Sequence, residues 1–468
     1  MRNIDRLMEM VEARRDAFEA LSDAVFDTPE VAYTERRSAA AHRAALEAEG
    51  ARVTDALAGI PTAVMGEWGQ GGPVIAILGE YDALPGLGQV AGVAEPAPLG
   101  GFGHGCGHNL LGSAAMLAAV ALRDWLAAAG LPGRVRYYGC PAEEGGAAKT
   151  FMVRAGCFAD VDAAVTWHPL DYTGVMAPRA LANMRIDYVF TGTAAHAAAN
   201  PELGRSALDA VELMSVGVNY LREHMPDGCR VHYAYQDAGG TAANVVQARA
   251  VVRHLIRARD AAELLPLVAR VEKVARGAAM MTETEVEMRI FSAVSNLLAC
   301  PPLEEAMERH VMALGAPDWD EEDRAFARDI RATLTPAHVA DTFRRCGLPL
   351  DREKPLADFV VPMAQAVPAS QGSTDVGDVS WAVPTVQAWV ATCAIGTPLH
   401  SWQLTAQGKS AAAKKGMVHA ARIMAAVGRE LLESPALLAA AKADHAARLR
   451  AQPYLFPMPD EVMPPIPG

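Results

Sequence analysis

Cysteine is scarce in this chain and does not show the pattern of a disulfide framework. The seven cysteines are an odd number, are widely spaced, and include no C-x-x-C pair among the 468 residues. A disulfide framework has an even set of cysteines in a short chain, so the pattern excludes it. Most of these cysteines are therefore expected to be small buried side chains.

Long apolar runs and a surplus of positive charge are also missing. No stretch approaches the roughly 18–20 uninterrupted apolar residues of a membrane span, so no membrane partner is expected. Lysines and arginines number 42 against 55 aspartates and glutamates, a formal net charge of −13 that argues against a nucleic-acid partner. The first residues carry acids and lack the apolar core of a secretory signal, so the cytoplasm is the expected location.

Half of the chain is apolar (51%), enough to bury the cores of two domains. In the first third, apolar runs at residues 74–79, 134–140 and 162–167 alternate with helical patterns, the longest at 109–129. This alternation predicts an α/β fold with a mixed, largely parallel sheet covered by helices. Near residue 183 the pattern becomes that of strands with one solvated face. Residues 184–297 are therefore expected to form an inserted α+β domain, and residues 1–183 and 298–468 the main domain.

Residues that can bind metal ions follow the predicted strands of the main domain. Ligands of an open α/β sheet bind beyond the carboxyl ends of its strands, so these side chains are expected to share one edge. They come from five segments: Glu80 and Asp82, the glycine-rich loop with Cys106 and His108, Glu143 with Glu144, His168, and His400. A single histidine is more often a structural residue, and a Glu-Glu pair is more often solvated at the surface. Only the joint placement of these residues at one edge of the sheet predicts a metal site.

Thiolate, imidazole and carboxylate groups together suit zinc, and also manganese or cobalt where carboxylates dominate. The two adjacent carboxylates of Glu143 and Glu144 suggest two different roles. One would bind a cation, and the other would take a proton from an activated water. A nucleophilic Cys106 paired with a histidine is the rival interpretation. It explains neither the Glu143-Glu144 pair nor His400.

Seven motifs occur in the order found in one enzyme family. The chain resembles the aminoacylase/carboxypeptidase metallopeptidases, and within them the amidohydrolase branch. The resemblance implies two divalent ions, manganese or zinc, and a general base at Glu143. It also implies metal ligands at Cys106 (as the bridge), His108, Glu144, His168 and His400. The motifs are GEYDALPG, GHGCGHNLLG, PAEEGG, TWHP, GTAAHAAANPELGRSALDAVELM, GSTDVGDVSW and GTPLHSWQ.

Further roles follow from the same resemblance. Asp82 matches the acid that orients a ligand. His196 matches a histidine that reaches across a dimer to stabilise the oxyanion, which makes residues 184–297 a lid and dimerisation domain. Asn244 matches a substrate-contacting asparagine. Arg257 falls at a position where relatives often keep an arginine, which would bind a carboxylate, with an exposed strand arginine as the alternative. Relatives outside this branch have a metal-binding histidine at the position of Glu80. Here the Cys-x-His pair is expected to supply the ligands, so Glu80 is left out.

The function implied is a metal-dependent amidohydrolase acting on a small-molecule amide. The expected substrate is an N-acyl or N-aroyl amino acid, such as p-aminobenzoyl-glutamate, or a short dipeptide. A homodimer is expected, with a heterodimer as an alternative. Two other functions stay open: hydrolysis of another C–N bond, as in an arylamine or a xenobiotic amide, and a non-catalytic subunit of a heterodimer. Asp375 and Asp378 are expected to order the loop beside His400. One departure from the family pattern, Gln247, leaves the substrate open, whereas a second, Asn109, is also common in the amidohydrolase branch.

Overall fold

A computed structural model describes residues 4–176, 180–366 and 372–467. Three helices begin this range, and strands with two further helices follow as far as residue 175. The helices are α1 (Ile4–Glu12), α2 (Arg15–Phe26), α3 (Arg36–Ala48), α4 (His108–Ala129) and α5 (Ala148–Arg154). The strands are β1 (Arg52–Asp55), β2 (Val64–Gln70), β3 (Val74–Glu80), β4 (Leu84–Pro85), β5 (Phe102–Gly103), β6 (Gly133–Cys140), β7 (Ala163–Leu170) and β8 (Thr173–Val175).

A separate antiparallel sheet follows, with strand order β10-β11-β9-β12. Its strands are β9 (Ala182–Thr191), β10 (Arg230–Asp237), β11 (Arg249–Ala258) and β12 (Glu285–Val294), and its two helices are α6 (Ala207–Leu221) and α7 (Ala261–Thr282). Ser206 and Asp260 cap the two helices through their side chains, which satisfies backbone N–H groups of the first turn. We refer to this sheet and its two helices as the lid. That the lid forms a separate domain stays a prediction.

The chain then returns to the first sheet. The elements are α8 (Pro301–Leu314), α9 (Glu321–Ala332), α10 (Pro336–Arg345), β13 (Val360–Val361), α11 (Val376–Ala382), β14 (Thr385–Ala391), α12 (Trp402–Gln407), α13 (Ala411–Glu433) and α14 (Pro435–Ala451). The full sheet has eight strands in the order β1-β2-β6-β3-β7-β14-β8-β13. Four consecutive strands, β6, β3, β7 and β14, run parallel; β1 and β2 pair antiparallel with their neighbours, and β8 pairs antiparallel with β14 and parallel with β13. The predicted mixed α/β class is confirmed.

Both faces of the central sheet are covered, and β3 shows how. Its alternate residues enter two different cores: Ile75 and Ile77 pack with α4 and α13, whereas Ala76 and Leu78 pack with α5 and the lid core. A strand buried on both faces reads as a continuous apolar run, which is why the sequence 74–78 contains no polar residue. The helix α4 is long and apolar enough to cross a bilayer, but most of it is buried inside the molecule, as in a core helix.

The four parallel strands end at one edge of the sheet, and this edge positions the site. Glu80 is the last residue of β3, and the Glu143-Glu144 turn follows β6. His168 lies inside β7, near its end, and His400 lies in the loop that follows β14. The glycine-rich loop leads directly into α4, which begins at His108.

Candidate metal centre and substrate cavity

Cys106 and His108 lie on either side of a glycine whose backbone no other residue adopts easily. Gly107 has a φ of 76°, in the left-handed region, and a Cβ there would lie 3.0 Å from Pro169 Cγ. Glycine alone meets both conditions without strain. The turn buries the thiol of Cys106 and the ring of His108, and it directs both side chains toward the end of β7.

Cys106, His108 and His168 form the first group of potential ligands. Their ligand atoms lie within 4.8 Å of one another, and Cys106 Sγ is 3.4 Å from His168 Nε2. The other ring nitrogen of His168, Nδ1, lies 2.8 Å from the carbonyl oxygen of Pro169. A donor contact of this kind fixes the tautomer and leaves the facing nitrogen free to bind a cation.

Cys106, Glu144 and His400 form the second group, also within 4.8 Å of one another. His400 Nε2 is 3.2 Å from Glu144 Oε1, and the backbone N–H of His400 donates to the carbonyl of Gly105 (2.8 Å). His400 has a φ of 57°, a conformation rare for a residue with a side chain and typical of functional sites. Cys106 belongs to both groups, which is the geometry needed for a bridging ligand.

Asp82 connects the elements that carry these ligands. Its Oδ1 lies 2.8 Å from His108 Nδ1, and its Oδ2 accepts the backbone N–H of Glu144 at 2.8 Å. The carboxylate is buried. Asp82 thus orients the His108 ring and holds the turn after β6, without itself joining either ligand group.

The donor atoms fit divalent cations. His108 Nε2 and Glu80 Oε2 are buried and have no hydrogen-bond partner among the described residues. Buried polar atoms without partners are rare in native proteins, and two in one cluster indicate a bound ion. The sulfur, nitrogen and oxygen donors suit zinc and manganese.

Glu143 and Glu144 differ in their electrostatic surroundings. Desolvation at the cavity wall raises the pKa of Glu143, and the charges of Glu80 and Glu144 raise it further. Burial also acts to raise the pKa of Glu144, but His400 and His108 outweigh it and lower that pKa to about 2. The site therefore holds one carboxylate that is readily protonated beside one that stays ionised.

A cavity of about 450 Å³ opens beside these residues. Cys106, Glu143, Glu144, His168 and His400 line it on the side of the central sheet. The lid strands line the opposite side through Asn183, Arg185, Arg257, Ser292 and Val294. Of the two predicted substrate contacts, Arg257 is in this cavity.

Asn244 and His196 are not among the residues that line the cavity of their own subunit. Both are exposed or half-exposed in the loops of the lid. His196 Nδ1 accepts the backbone N–H groups of Ala198 (3.2 Å) and Ala199 (3.0 Å). The structure of one subunit therefore does not bring His196 to the metal ligands.

Arg185 and Lys149 are site residues that the sequence reasoning missed. Arg185 Nη1 donates to the carbonyl of Gly145 at 3.0 Å, directly after Glu144. Polar and apolar residues alternate in the sequence NMRID of β9. This alternation is the sequence signal that could have shown on which face of the strand Arg185 lies. Lys149 Nζ is 2.7 Å from Glu80 Oε1 and 2.7 Å from Asp375 Oδ1. No local pattern in the sequence indicates that pairing.

Asp378, which was expected to order the loop beside His400, joins three other segments of the chain. Its Oδ2 accepts from Thr150 Oγ1 (2.7 Å) and from the backbone N–H of Ser295 (3.0 Å). Its Oδ1 accepts from Tyr454 Oη at 2.7 Å. The buried carboxylate thereby fixes the segment that leaves the lid against α5 and the C-terminal tail.

Comparison with known proteins places this geometry in context. The sequence profile of peptidase family M20/M25/M40 matches residues 76–401. The chain is 46% identical to the B subunit of p-aminobenzoyl-glutamate hydrolase from Escherichia coli K12, over 99% of both chains. It is 28% identical to mouse Xaa-Arg dipeptidase, over 96% of this chain and 94% of that one. A solved dinuclear metal-binding peptidase of the M20 family from Bacillus subtilis shares the fold, with a TM-score of 0.56, 19% identity, and coverage of 89% of this chain and 99% of that chain.

Proposed function

The chain belongs to peptidase family M20/M25/M40 and is a metal-dependent amidohydrolase, and from this premise we propose that it hydrolyses the amide bond of an N-acyl or N-aroyl amino acid. One observation carries the proposal. Two groups of ligand atoms share Cys106, and four of their five residues line the same cavity as Glu143 and two arginines of the lid. A cavity with these walls can receive an amide at one end and a carboxylate at the other.

Cys106, His108 and His168 would hold one divalent cation, and Cys106, Glu144 and His400 the other, with manganese and zinc as the candidates. When bound, such cations polarise the carbonyl and lower the pKa of a water molecule. Asp82 keeps the His108 ring in the orientation that exposes Nε2 to the cluster.

Glu143 has the position and the electrostatics of the general base. It accepts a proton from the attacking water and returns it to the amide nitrogen as the C–N bond breaks. A carboxyl whose pKa is raised by desolvation holds a proton between these two steps more readily than a solvated one. The leaving group then departs as a neutral amine.

The two lid arginines support a substrate with carboxylate groups. Within the ranges 4–176, 180–366 and 372–467, no carboxylate lies within ion-pair distance of Arg185 or Arg257. Arg257 Nη1 donates only to a neutral partner, Ser373 Oγ, at 2.7 Å. Desolvation lowers the pKa of both guanidinium groups, so a bound carboxylate would restore favourable pairing. Two such cations favour an acidic amino acid, as in p-aminobenzoyl-glutamate, the substrate named for the E. coli relative.

Apolar side chains form the remaining wall of the cavity. Met176, Trp389 and Leu399 line it near His168 and His400, where the acyl side of the amide would lie. The Trp389 and His168 rings make an edge contact with centroids 5.4 Å apart. A flat aroyl group would pack well between these side chains.

A second copy of the chain completes this proposal. The strand β10 is at the edge of the lid sheet, and exposed apolar residues lie on it and on α6: Tyr233, Tyr235, Val216 and Tyr220. Exposed sheet edges with apolar neighbours favour pairing with another chain. We propose a homodimer in which His196 of a second copy reaches the cavity, with Asn244 beside it. The E. coli relative is named as one of the subunits of a hydrolase, which supports a heterodimer as the alternative.

The expected location remains the cytoplasm. All seven cysteines are unpaired in the structure. A centre that depends on a free thiol such as Cys106 suits a reducing compartment, where thiols stay reduced.

A substrate panel tests the proposed function. The protein loaded with manganese or zinc should hydrolyse N-acyl and N-aroyl glutamate faster than the matching alanine derivatives. In Arg257→Met, KM for the glutamate substrates should rise roughly 10- to 100-fold, the worth of a hydrogen-bonded ion pair, while the alanine substrates change little. Arg289→Gln, which removes an exposed lid arginine paired with Glu287, is the matched control.

Two results would contradict this function. If the metal-loaded protein hydrolyses no amide but releases ammonia from another C–N compound, the bond that it hydrolyses is not an amide. Failure on every compound tested, with both cations bound, would favour a non-catalytic subunit.

A further inference from the structure

The turn that carries the two catalytic-site glutamates, residues 143–146, lies between two strained backbone positions. Ala142 and Ala147 both have a φ of 57°, in the left-handed region that residues with a side chain rarely adopt. Such conformations persist only where surrounding contacts hold them. On the side of the central sheet, Asp82 accepts a backbone N–H of the turn at 2.8 Å, and the Tyr33 hydroxyl donates to a carbonyl of the turn at 2.7 Å.

The lid holds the same turn from the opposite side. Arg185 Nη1 donates to the carbonyl oxygen of Gly145 at 3.0 Å, and Ser292 Oγ donates to the same oxygen at 2.7 Å. The two donors come from the neighbouring lid strands β9 and β12. A carbonyl oxygen has two lone pairs, so the lid uses its full accepting capacity. The residue they hold directly follows Glu144 in the chain.

A β-bulge in β12 brings the serine to this position. The register between β12 and β9 shifts between Ile290 and Ser292, so that Ser292 and not Phe291 lies opposite Arg185. Residues that lie opposite each other on paired strands share one face of the sheet. The guanidinium of Arg253 covers the bulged Phe291, 4.2 Å from the centre of its ring. The bulge thus aims a hydroxyl and a guanidinium at one carbonyl, a use of bulges that is common beside active sites.

Gly145 is matched to the approach of the arginine. A Cβ at this position would lie 2.1 Å from Arg185 Nη1, closer than two unbonded heavy atoms approach. The backbone of Gly145 is outside the positive-φ region, so its conformation is open to other residues. The close contact with the lid is therefore what requires a glycine here.

We propose that Arg185 and Ser292 are positioning residues, which hold the Gly145 carbonyl and thereby place Glu143 and Glu144 for the reaction. This inference rests on the proposed function and gives the lid a role within its own subunit. Displacement of a reacting group by about 1 Å can lower a rate by about 100-fold, so an anchor on this turn affects turnover. The other N–H groups of Arg185 stay available to a substrate carboxylate.

Steady-state kinetics of the metal-loaded protein on the N-acyl alanine derivatives test the proposal. The kcat should fall by about 3-fold in Ser292→Ala and about 10-fold in Arg185→Ala, the worth of a neutral and a charged hydrogen bond. In the double variant it should fall by about 100-fold, more than the product, because either donor alone still holds the carbonyl. KM for these substrates and the metal content should stay within a few-fold of the parent. Loss confined to kcat identifies positioning, since lost substrate binding would raise KM.

Gly145→Ala tests the same contact from the side of the turn. In the parent, the added methyl group should displace the guanidinium of Arg185 and lower kcat by about 10-fold, the worth of that hydrogen bond. In the Arg185→Ala background the space is free, so the same change should add little. Two independent losses of stability would not show this dependence of one substitution on the other.

Two further variants separate positioning from damage to the fold. Ser292→Thr keeps the hydroxyl and should retain the parental kcat within a few-fold. Arg289→Ala removes an exposed arginine of β12 that pairs with Glu287, and it should behave as the parent. Circular dichroism establishes that each variant is folded. If the double variant does not fold, Gly145→Ala with and without Arg185 carries the test.

The outcomes distinguish this inference from the proposed function. Parental kcat in the folded double variant, or equal losses from Gly145→Ala with and without Arg185, would overturn the positioning role and leave the amidohydrolase intact. A raised KM with parental kcat in Arg185→Ala would also overturn it, because the guanidinium would then serve only the substrate. A parent protein that hydrolyses no amide would instead remove the proposed function on which the inference stands.

Discussion

Glu143 and Glu144 are neighbours in the chain but have opposite tendencies to hold a proton. Glu144 faces two histidines, which lower its pKa to about 2, whereas Glu143 lies in a desolvated wall facing the charges of Glu80 and Glu144, and both effects raise its pKa. Pairs of titratable groups whose surroundings push their pKa values apart are a signature of acid–base catalysis. At the scale of single residues, this difference supports the proposed roles, proton transfer for Glu143 and ligation for Glu144.

Replacing Glu143 by glutamine should therefore remove catalysis and leave the metal centre in place. The amide keeps the size of the carboxyl but cannot accept the proton, so kcat should fall at least about 100-fold, the low end for a general base. Metal content and KM should change little. Steady-state kinetics with metal analysis measure both, and Glu47→Gln, an exposed position on α3, is the control. A Glu143→Gln variant with the parental kcat would refute the assigned role.

At the scale of elements, the site depends on where strands end and on what covers them. The parallel strands β3, β6, β7 and β14 deliver ligands to one edge, and the lid strands supply the facing wall. Arg185 and Ser292, from two lid strands, both donate to the Gly145 carbonyl next to Glu144. The lid is thus hydrogen-bonded directly to the catalytic turn, while its His196 loop lies outside the cavity.

Complementation between two inactive variants tests whether His196 acts on another subunit. In co-expressed Glu143→Gln and His196→Ala chains, a mixed dimer would contain one cavity with both residues intact. Activity should return to about a quarter of the parent, because half of a random two-fold dimer population is mixed and each mixed dimer has one intact cavity. Each variant assayed alone should stay inactive. Absence of any recovery in dimers shown to be mixed would place His196 within its own subunit.

Sequence patterns predict helices and strands, because the pattern of each element lies within one short segment of the chain. They do not predict contacts between segments that are far apart in the chain. The strands β3 and β6 and the helix α4 can be predicted because the apolar residues of each follow one another within a short stretch of sequence. The strand β14 covers Thr385–Ala391, whereas the apolar run in the sequence continues to Gly396 and gives no earlier signal for the end of the strand. The contact of Lys149 with Asp375 joins residues 226 positions apart, and only the packing of α5 against α11 creates it.

At the scale of the whole molecule, a large core surrounds several neutral histidines. His42, on α3, is fully buried, stacks on Tyr137 with 13° between the rings, and has its Nδ1 2.7 Å from the Tyr137 hydroxyl. Desolvation lowers its pKa to about 3. The unfolded chain would bind a proton at His42 below about pH 6.5, whereas the folded chain would not until about pH 3, so acid favours unfolding.

The free energy of unfolding should consequently fall as the pH drops from about 6.5 to about 4.5, and His42 should contribute up to about 1.4 kcal/mol per pH unit to that slope. Denaturant unfolding of His42→Gln in the presence of a chelator should show a shallower dependence on pH than the parent. His232→Gln, which changes an exposed histidine of the lid, should keep the parental slope. Identical slopes for His42→Gln and the parent would show that His42 becomes charged in the folded protein.

The most direct measurement is anomalous scattering from crystals of the protein grown with manganese or zinc. We predict two strong peaks at the carboxyl edge of the central sheet, one bounded by His108 and His168, the other by Glu144 and His400, with Cys106 Sγ between them. A single peak elsewhere, or density showing these five side chains hydrogen-bonded to one another with no ion, would contradict the proposed centre.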